Sequence, residues 1–488
     1  MYIENYSTKN NIVSRVAKNT GCIMSGNILN TVIGIITVTY LARYLGSEGF
    51  GKYSFVFAYL WFFGFISDLG INTILIREIS RDKTRAGLLI GNSIIIKLLL
   101  SFLAIILSCL ATIPLKSSPE IRKFVFIGAL SFIFSFGSVY KGIFQANLEM
   151  LYPTAINILD NIVKFILFIW LIAIKATLVG FVIASVVYIL PGLFVIIYYS
   201  RKLVTPNFNI DFGLWKNLFR ESWPLALTTI FIIIYTRVDQ LMLFHMRGPR
   251  DVGYYAAAVR LVEAFTMIPF AFIASILPLM SNYFKTSPES LKIVYKLSFK
   301  YILMIILPIA TGITLLSKQI TILLFGKEFL PSVPALAILI WSEVFVFYGI
   351  VHQNLLISTN QQKIDLRFTF IAAVANIILN LILIPVYGIV GASIATLFSY
   401  ALGAGAIIGL FIPATRVYNI AGWQSMVKPC IASFLMGIFM FFMGTITTSA
   451  ILGGVLVFIA VMFFIGGINQ QDVRLIKAIF RKESDILL

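Results

Sequence analysis

Hydrophobic residues form runs of about twenty positions along this chain, broken by short polar segments, from Gly21 to Gly467. A helix of about 20 apolar residues crosses the hydrocarbon core of a bilayer, so each run predicts a membrane-spanning helix. The predicted spans are fourteen, at residues 21–42, 53–75, 87–113, 124–145, 153–174, 177–199, 223–246, 253–284, 297–317, 333–357, 366–385, 389–412, 427–444 and 450–467. The pattern therefore predicts an all-α, polytopic membrane protein.

Composition and charge support this class. Of the 488 residues, 59% are hydrophobic and only 12% are charged, with a mean hydropathy of +0.96, whereas soluble domains are about 25% charged. Most of the 38 lysines and arginines lie in the termini and the even-numbered loops, which predicts that both termini are cytoplasmic. The net charge of +18 is spread over many loops without an aromatic stacking platform, so we expect no nucleic-acid partner.

Two sequence echoes predict an internal duplication. The turn LARYLGSEGFGKY at Leu41–Tyr53 is echoed about 202 residues later by MRGPRDVGYY at Met246–Tyr255. LVGFVIAS at Leu178–Ser185 is echoed about 211 residues later by IVGASIAT at Ile389–Thr396. Similar offsets favour two six-helix lobes related by a pseudo-two-fold axis, and parallel halves of this kind hold a substrate site at their interface.

The duplication also predicts how the chain is divided. The expected parts are an N-terminal lobe at 1–200, a cytoplasmic linker at 201–222, a C-terminal lobe at 223–412, and a segment at 413–488 with two extra helices and a cytoplasmic tail. The sequence contains no P-loop, GxSxG, HExxH or CxxC motif. Its three cysteines lie far apart, so we expect no metal site and no cofactor. A transporter is favoured over an enzyme.

Charged residues inside the spans indicate where function lies. Each costs about 2.5–3.5 kcal/mol at the centre of the membrane unless it faces water or a partner. They are Lys97, Lys164, Arg237 and Arg260 among the bases and Asp68, Asp160, Asp239, Glu263 and Glu343 among the acids. Such residues are expected to line a wet cavity or to form pairs.

Spacing assigns these residues to candidate roles. Arg237 and Arg260 are candidates for binding an anionic headgroup, because a guanidinium suits bidentate phosphate recognition, and Lys97, near the centre of the third span, is a matching candidate from the first half. Arg237 and Asp239 are two residues apart and point to different faces of a helix, so they cannot neutralise each other locally. The acids that could couple transport to a proton or cation are Asp239, Glu263, Asp68 and Glu343. Asp160 and Lys164, four apart, predict a structural ion pair, and Arg260 and Glu263, three apart, predict a local pair.

Four stretches resemble one family in order. They are LARYLGSEGFGKYSF from Leu41, SDLGINTILIREI from Ser67, VDQLMLFHMRGPRDVGYYAAAVRLVE from Val238, and ANIILNLILIPVYGIVGASIAT from Ala375. Together they are similar to bacterial polysaccharide flippases, for O-antigen or capsule repeat units, of the multidrug, oligosaccharidyl-lipid and polysaccharide exporter superfamily.

The resemblance implies a function and partners. A flippase of this kind moves an undecaprenyl-diphosphate-linked oligosaccharide across the bacterial inner membrane by alternating access, between two lobes and beside a groove for the lipid tail. It implies membrane lipid, a polysaccharide polymerase and a chain-length regulator as partners. Related drug antiporters have twelve spans and an acid in the first span, and the lipid II flippase has an Arg-Asp pair there; both features are missing here. A cation-coupled antiporter and a membrane polysaccharide polymerase are the alternatives, and the short outward loops disfavour the polymerase.

Overall fold

The protein is helical throughout the part that the structure describes. This computed structural model describes residues 2–115, 118–359, 361–410, 421–444 and 448–468. Its helices are α1 Tyr2–Gly64, α2 Ile71–Arg81, α3 Ala86–Leu110, α4 Pro119–Ala129, α5 Gly137–Ala146, α6 Leu151–Ala173, α7 Leu178–Val187, α8 Leu190–Ser200, α9 Phe212–Arg247, α10 Pro249–Glu263, α11 Met267–Thr286, α12 Pro288–Phe325, α13 Ser332–Ser358, α14 Gln362–Leu410, α15 Ala421–Phe442 and α16 Thr448–Phe464. The all-α prediction is confirmed.

The helix lengths agree with fourteen membrane crossings. Within the described ranges, nine helical stretches are long and apolar enough to cross a bilayer, and two shorter apolar helices follow near the C-terminus. Two of the nine, Gly21–Ser67 and Lys363–Ala404, have 47 and 42 residues, and at 1.5 Å per residue each is long enough to cross twice. Helices α10 and α11 cover the predicted eighth span, at 253–284. The expected tail beyond residue 468 lies outside the described residues.

The second predicted span ends earlier than expected. A continuous span at 53–75 is wrong, because α1 ends at Gly64 and a short 3-10 turn leads into Leu69 and Gly70, at φ 45° and 77°. An α-helix cannot continue through left-handed backbone at two successive residues. The chain restarts as α2, a short helix with buried isoleucines and leucine on one face.

Helix α9 begins well before residue 223, where the seventh span was expected. The segment before it is held against α3 by Asn92, which is fully buried. The Asn92 amide donates to the Asn209 carbonyl at 2.9 Å and accepts from the Asp211 backbone N–H at 3.0 Å and from the Trp215 indole at 2.7 Å. The predicted linker is therefore partly helical and packed in place.

The chain forms two compact units. One contains the chain up to Met267 and Thr369–Thr396, and the other contains Ile268–Phe368 and the chain from Leu397. In the second unit, the His352 ring is buried and lies 2.7 Å from the Tyr295 hydroxyl. The ring packs among the aromatic side chains of Tyr295, Phe299 and Tyr348. The lobes at 1–200 and 223–412 stay a prediction.

The repeated turns have the same backbone geometry. Gly46 (φ 67°, ψ 178°) and Gly248 (φ 95°, ψ 176°) both adopt conformations that favour glycine. Five residues after each turn, Gly51 and Gly253 bring α1 and α10 into backbone contact. A Cβ on Gly51 would overlap the Pro249 carbonyl, and a Cβ on Gly253 would overlap the Ser47 carbonyl. Matching glycines thus fix the crossing of two helices that also line the candidate site.

Candidate functional site

A small pocket lies between α1, α9 and α10 within the first unit. The residues from α1 are three or four apart, so they share one helix face. The lining comprises Ser54, Phe57, Ala58 and Trp61 from α1, Arg237 and Gln240 from α9, and Ala256, Val259 and Arg260 from α10. Two of the three predicted headgroup-binding residues therefore meet in one pocket.

A shared carboxylate joins the two arginines of this pocket. Arg237 Nη1 lies 2.7 Å from Glu263 Oε1, and Arg260 Nη1 lies 3.5 Å from Glu263 Oε2. The side chains are 14% exposed for Arg237, 32% for Glu263 and 48% for Arg260. Two guanidiniums around one carboxylate leave an excess of one positive charge in this group, on a face that solvent reaches.

Trp61 forms the aromatic side of the same pocket. The guanidinium carbon of Arg237 lies 5.4 Å from the centre of the indole, a distance at which a cation is attracted to the ring face. The Trp61 side chain is nevertheless 54% exposed. The pocket thus places an accessible indole beside a cationic cluster.

Asp239 points away from Arg237 into a separate buried site. Its carboxylate accepts hydrogen bonds from the Tyr255 hydroxyl, from the Gln240 backbone N–H at 2.7 Å and from the Thr396 hydroxyl at 3.4 Å. The Thr396 oxygen also lies 3.1 Å from the Tyr255 hydroxyl. Three donors satisfy a buried acid that would otherwise be costly.

Lys97 and Asp68 form a second ion pair, also within the first unit. The Lys97 ammonium contacts the Asp68 carboxylate and lies 2.5 Å from the Ser138 hydroxyl. Lys97 is 1% exposed, whereas the Asp68 side chain is 39% exposed because it stands at the break after α1. Lys97 therefore lies apart from the two arginines with which it was grouped. Glu343, the remaining coupling candidate, is buried on α13 in the second unit.

The expected pair between Asp160 and Lys164 is a wrong assignment. Among the described side chains, Asp160 Oδ2 instead lies 3.6 Å from Lys141 Nζ. The Lys164 ammonium lies 5.4 Å from the ring centre of Phe168 and 5.2 Å from that of Tyr188. The Asp160 carboxylate packs against Gly192 of α8, in space that a Cβ at residue 192 would fill. The two aromatic rings stabilise the Lys164 ammonium, which the four-residue spacing had predicted to pair with Asp160.

Sequence reasoning missed Trp61 and Tyr255. An isolated aromatic residue in a span usually faces lipid or belongs to an interfacial belt, so neither stood out among the 43 Phe, 21 Tyr and 6 Trp. Aligning the two turn echoes residue by residue would have found both. That alignment pairs Tyr255 with Tyr53 and pairs Trp61 with Glu263, 202 residues apart in each case.

The chain is similar in sequence to known protein families. A family model described as "Polysaccharide biosynthesis protein" matches residues 16–284, and one described as "MatE" matches residues 224–382. The "Probable low-salt glycan biosynthesis flippase Agl15" of Haloferax volcanii is 26% identical over 421 residues, covering 84% of this chain and 87% of that protein. The "Capsular polysaccharide biosynthesis protein CapF" of Staphylococcus aureus is 23% identical over 399 residues, covering 79% and 96%.

A solved structure supports the fold. "Lipid II flippase MurJ, inward closed conformation" superposes with a TM-score of 0.74 at 18% sequence identity, covering 94% of this chain and 99% of that chain. At this sequence identity, the similarity shows a shared fold and says nothing about the ligand. The predicted class, an all-helical membrane protein of about fourteen helices, is confirmed.

Proposed function

Because this chain belongs to the polysaccharide biosynthesis protein family of the multidrug, oligosaccharidyl-lipid and polysaccharide exporter superfamily, we propose that it is a flippase for lipid-linked glycans. Its substrate would be an undecaprenyl-diphosphate-linked oligosaccharide repeat unit, carried across the cytoplasmic membrane by alternating access. The chain is a transporter and not an enzyme, so no bond is made or broken. The product would serve the assembly of a surface polysaccharide such as O-antigen or capsule.

The observation that carries this proposal is the group formed by Arg237, Glu263 and Arg260. A diphosphate offers oxygens that guanidiniums bind in bidentate fashion, with stronger hydrogen bonds than a neutral ligand could form. The Glu263 carboxylate already occupies both guanidiniums, since each of its oxygens faces one of them. A substrate diphosphate would replace the carboxylate and use the same two cations.

Coupling to an ion gradient would use the competition between the Glu263 carboxylate and the substrate diphosphate for the same two guanidiniums. Protonation of Glu263, or its binding of a cation, would release both guanidiniums for the substrate, and substrate release would reverse the step. Asp239 is a second coupling candidate because it is buried and hydrogen-bonded on the other face of α9. Asp68 and Glu343 stay candidates; the Asp68 side chain is 39% exposed and pairs with the buried Lys97. In this scheme, Lys97 contributes to the anion site only after its pair with Asp68 opens.

The proposed membrane placement has both termini in the cytoplasm. It rests on the excess of Lys and Arg in the loops on that side. A polysaccharide polymerase and a chain-length regulator would act on the translocated unit at the opposite face.

A cation-coupled small-molecule antiporter is the second candidate, favoured by the match of residues 224–382 to the MatE family. An antiporter for cationic drugs would expose acids to its ligand. The pocket described here instead combines two arginines with one acid, which suits an anionic ligand better. Efflux of a soluble cation that persists in Arg260→Ala would favour the antiporter.

The direct test is the leaflet distribution of the lipid-linked oligosaccharide in cells that lack this protein. Arg237→Ala, Arg260→Ala and the wild type would be returned separately, with Arg122→Ala as control because Arg122 is exposed at the start of α4. The proposal expects repeat units to collect on the cytoplasmic face, and wild type and control to restore export while both pocket variants fail. Normal export without the protein would refute the flippase function.

A further inference from the structure

The two turn echoes differ at every paired position that lines the pocket. Four pairs of positions, each 202 residues apart, meet in or beside it: Ser54 with Ala256, Phe57 with Val259, Ala58 with Arg260, and Trp61 with Glu263. The matching glycines and tyrosines outside the pocket keep the helix crossing alike. The pocket itself is therefore asymmetric, with an aromatic wall from α1 and a charged wall from α10.

Trp61 is placed to contact a ligand. It lies on the helix face of α1 that lines the pocket, and the residue as a whole is 54% exposed. The centre of its indole lies 5.4 Å from the guanidinium carbon of Arg237, so one face of the ring attracts that cation. If a ligand's phosphate binds Arg237, the chemical group bonded to that phosphate therefore lies close to the Trp61 indole.

The chemistry of that neighbouring group follows from the pocket. An indole face attracts flat surfaces of C–H groups as well as cations, because its quadrupole is negative over the ring. A pyranose has such an apolar face, and a glycosyl phosphate joins the pyranose to phosphorus through one oxygen. Sugar ring and phosphate then lie side by side, as the indole and the guanidinium do here.

We propose that Trp61 is the sugar-stacking residue of this pocket, selecting ligands in which a pyranose is bonded directly to the diphosphate held by Arg237 and Arg260. The inference rests on the proposed function and adds a specificity-determining residue to it. Ser54 and Gln240, the polar residues beside this wall, are in place to hydrogen-bond sugar hydroxyls.

Two probes that differ only in the sugar test this inference. They are the terminal methyl ester of farnesyl diphosphate and farnesyl-diphosphoryl-N-acetylglucosamine, two diesters of equal charge, titrated into the full chain in lipid nanodiscs. The wild type is expected to bind the sugar-bearing probe about five- to tenfold more tightly than the methyl ester. Trp61→Ala should abolish this preference while changing the affinity for the methyl ester of farnesyl diphosphate less than twofold. Trp61→Phe should keep part of the preference, and Arg260→Ala should weaken both probes alike.

The matched control is Trp170→Ala, since Trp170 is 57% exposed on α6 and lies outside the lining of the pocket. It should behave as the wild type. Three results would overturn the inference: Trp61→Ala that keeps the sugar preference, Trp61→Ala that weakens both probes equally, or a wild type that binds both probes alike. If the wild type binds neither probe, the proposed function itself fails.

Discussion

Tyr53 and Tyr255 hold the same place in the two turn echoes, yet their hydroxyls have different partners. The Tyr53 hydroxyl lies 2.8 Å from the hydroxyl of Ser185, and the Tyr255 hydroxyl lies 3.1 Å from that of Thr396. Ser185 and Thr396 are the last residues of the second pair of echoes. In each copy, therefore, the tyrosine of the first echo contacts the last residue of the second echo. Only Tyr255 also donates to a carboxylate, that of Asp239. The predicted duplication would account for a contact present in both copies, with an acid added in one of them.

The first prediction compares these tyrosines. Tyr255→Phe removes a donor from a buried carboxylate, whereas Tyr53→Phe removes a bond between neutral hydroxyls. A hydrogen bond to a charged group contributes about 1.5–3 kcal/mol and a neutral one about 0.5–1.5 kcal/mol. We expect Tyr255→Phe to lower the thermal unfolding midpoint in detergent more than Tyr53→Phe does. Equal shifts would mean that Asp239 does not depend on this donor.

The second prediction concerns Glu263→Gln. Glutamine keeps the shape of the side chain but removes the charge that occupies Arg237 and Arg260. Opposite charges 4 Å apart attract by about 4 kcal/mol at an effective dielectric of 20, and partial exposure reduces this value. Inorganic pyrophosphate should therefore bind about tenfold more tightly, as measured by calorimetric titration of the full chain. Glu48→Gln is the control, because Glu48 pairs with Lys52 outside the pocket; unchanged or weaker binding by Glu263→Gln would contradict the competition.

The third prediction concerns the crossing of α1 and α10. Alanine at Gly51 or Gly253 would force backbone atoms apart, and overpacking of this kind costs about 1–3 kcal/mol. Each variant should unfold at a lower temperature than the wild type. Gly34→Ala is the control, since nothing lies within 4 Å of its would-be Cβ and alanine is the better helix former. A Gly51→Ala protein as stable as Gly34→Ala would show that the helices do not pack this closely.

The fourth prediction is an asymmetry within the pair of Asp68 and Lys97. Asp68→Asn leaves a buried ammonium without its counter-charge, a change that costs about 3–5 kcal/mol in such pairs. Lys97→Met leaves a carboxylate that solvent already reaches. Asp68→Asn should thus lower the unfolding midpoint more, and the double variant should recover much of the loss. The reverse order would contradict the burial of Lys97.

Much of the fold could be predicted because span length and hydrophobicity are local properties of the sequence. The break at Leu69 and Gly70 could not, since the apolar pattern runs straight through it into α2. The glycines of the repeated turn did predict the sharp bend at Gly46. Here the left-handed conformation follows from the residue type itself.

The candidate site could be predicted only as a set of residues. Charge inside a span marks Arg237, Arg260 and Glu263 as unusual, but the contact between α9 and α10 decides that all three meet. Local spacing misled the prediction for Asp160, whose partner Lys141 comes from another helix. Partners across helices depend on packing, which one sequence does not state.

The most direct test of the account is glycolipid flipping by the purified protein. Proteoliposomes would carry a fluorescent short-chain diphosphate-linked oligosaccharide in both leaflets, and a membrane-impermeant reductant would quench the accessible molecules. The account predicts that the wild type and Arg122→Ala make nearly all of the probe accessible. Liposomes with the double variant Arg237→Ala/Arg260→Ala should stay at the level of protein-free liposomes. A wild type no faster than empty liposomes, or a double variant as fast as the wild type, would contradict it.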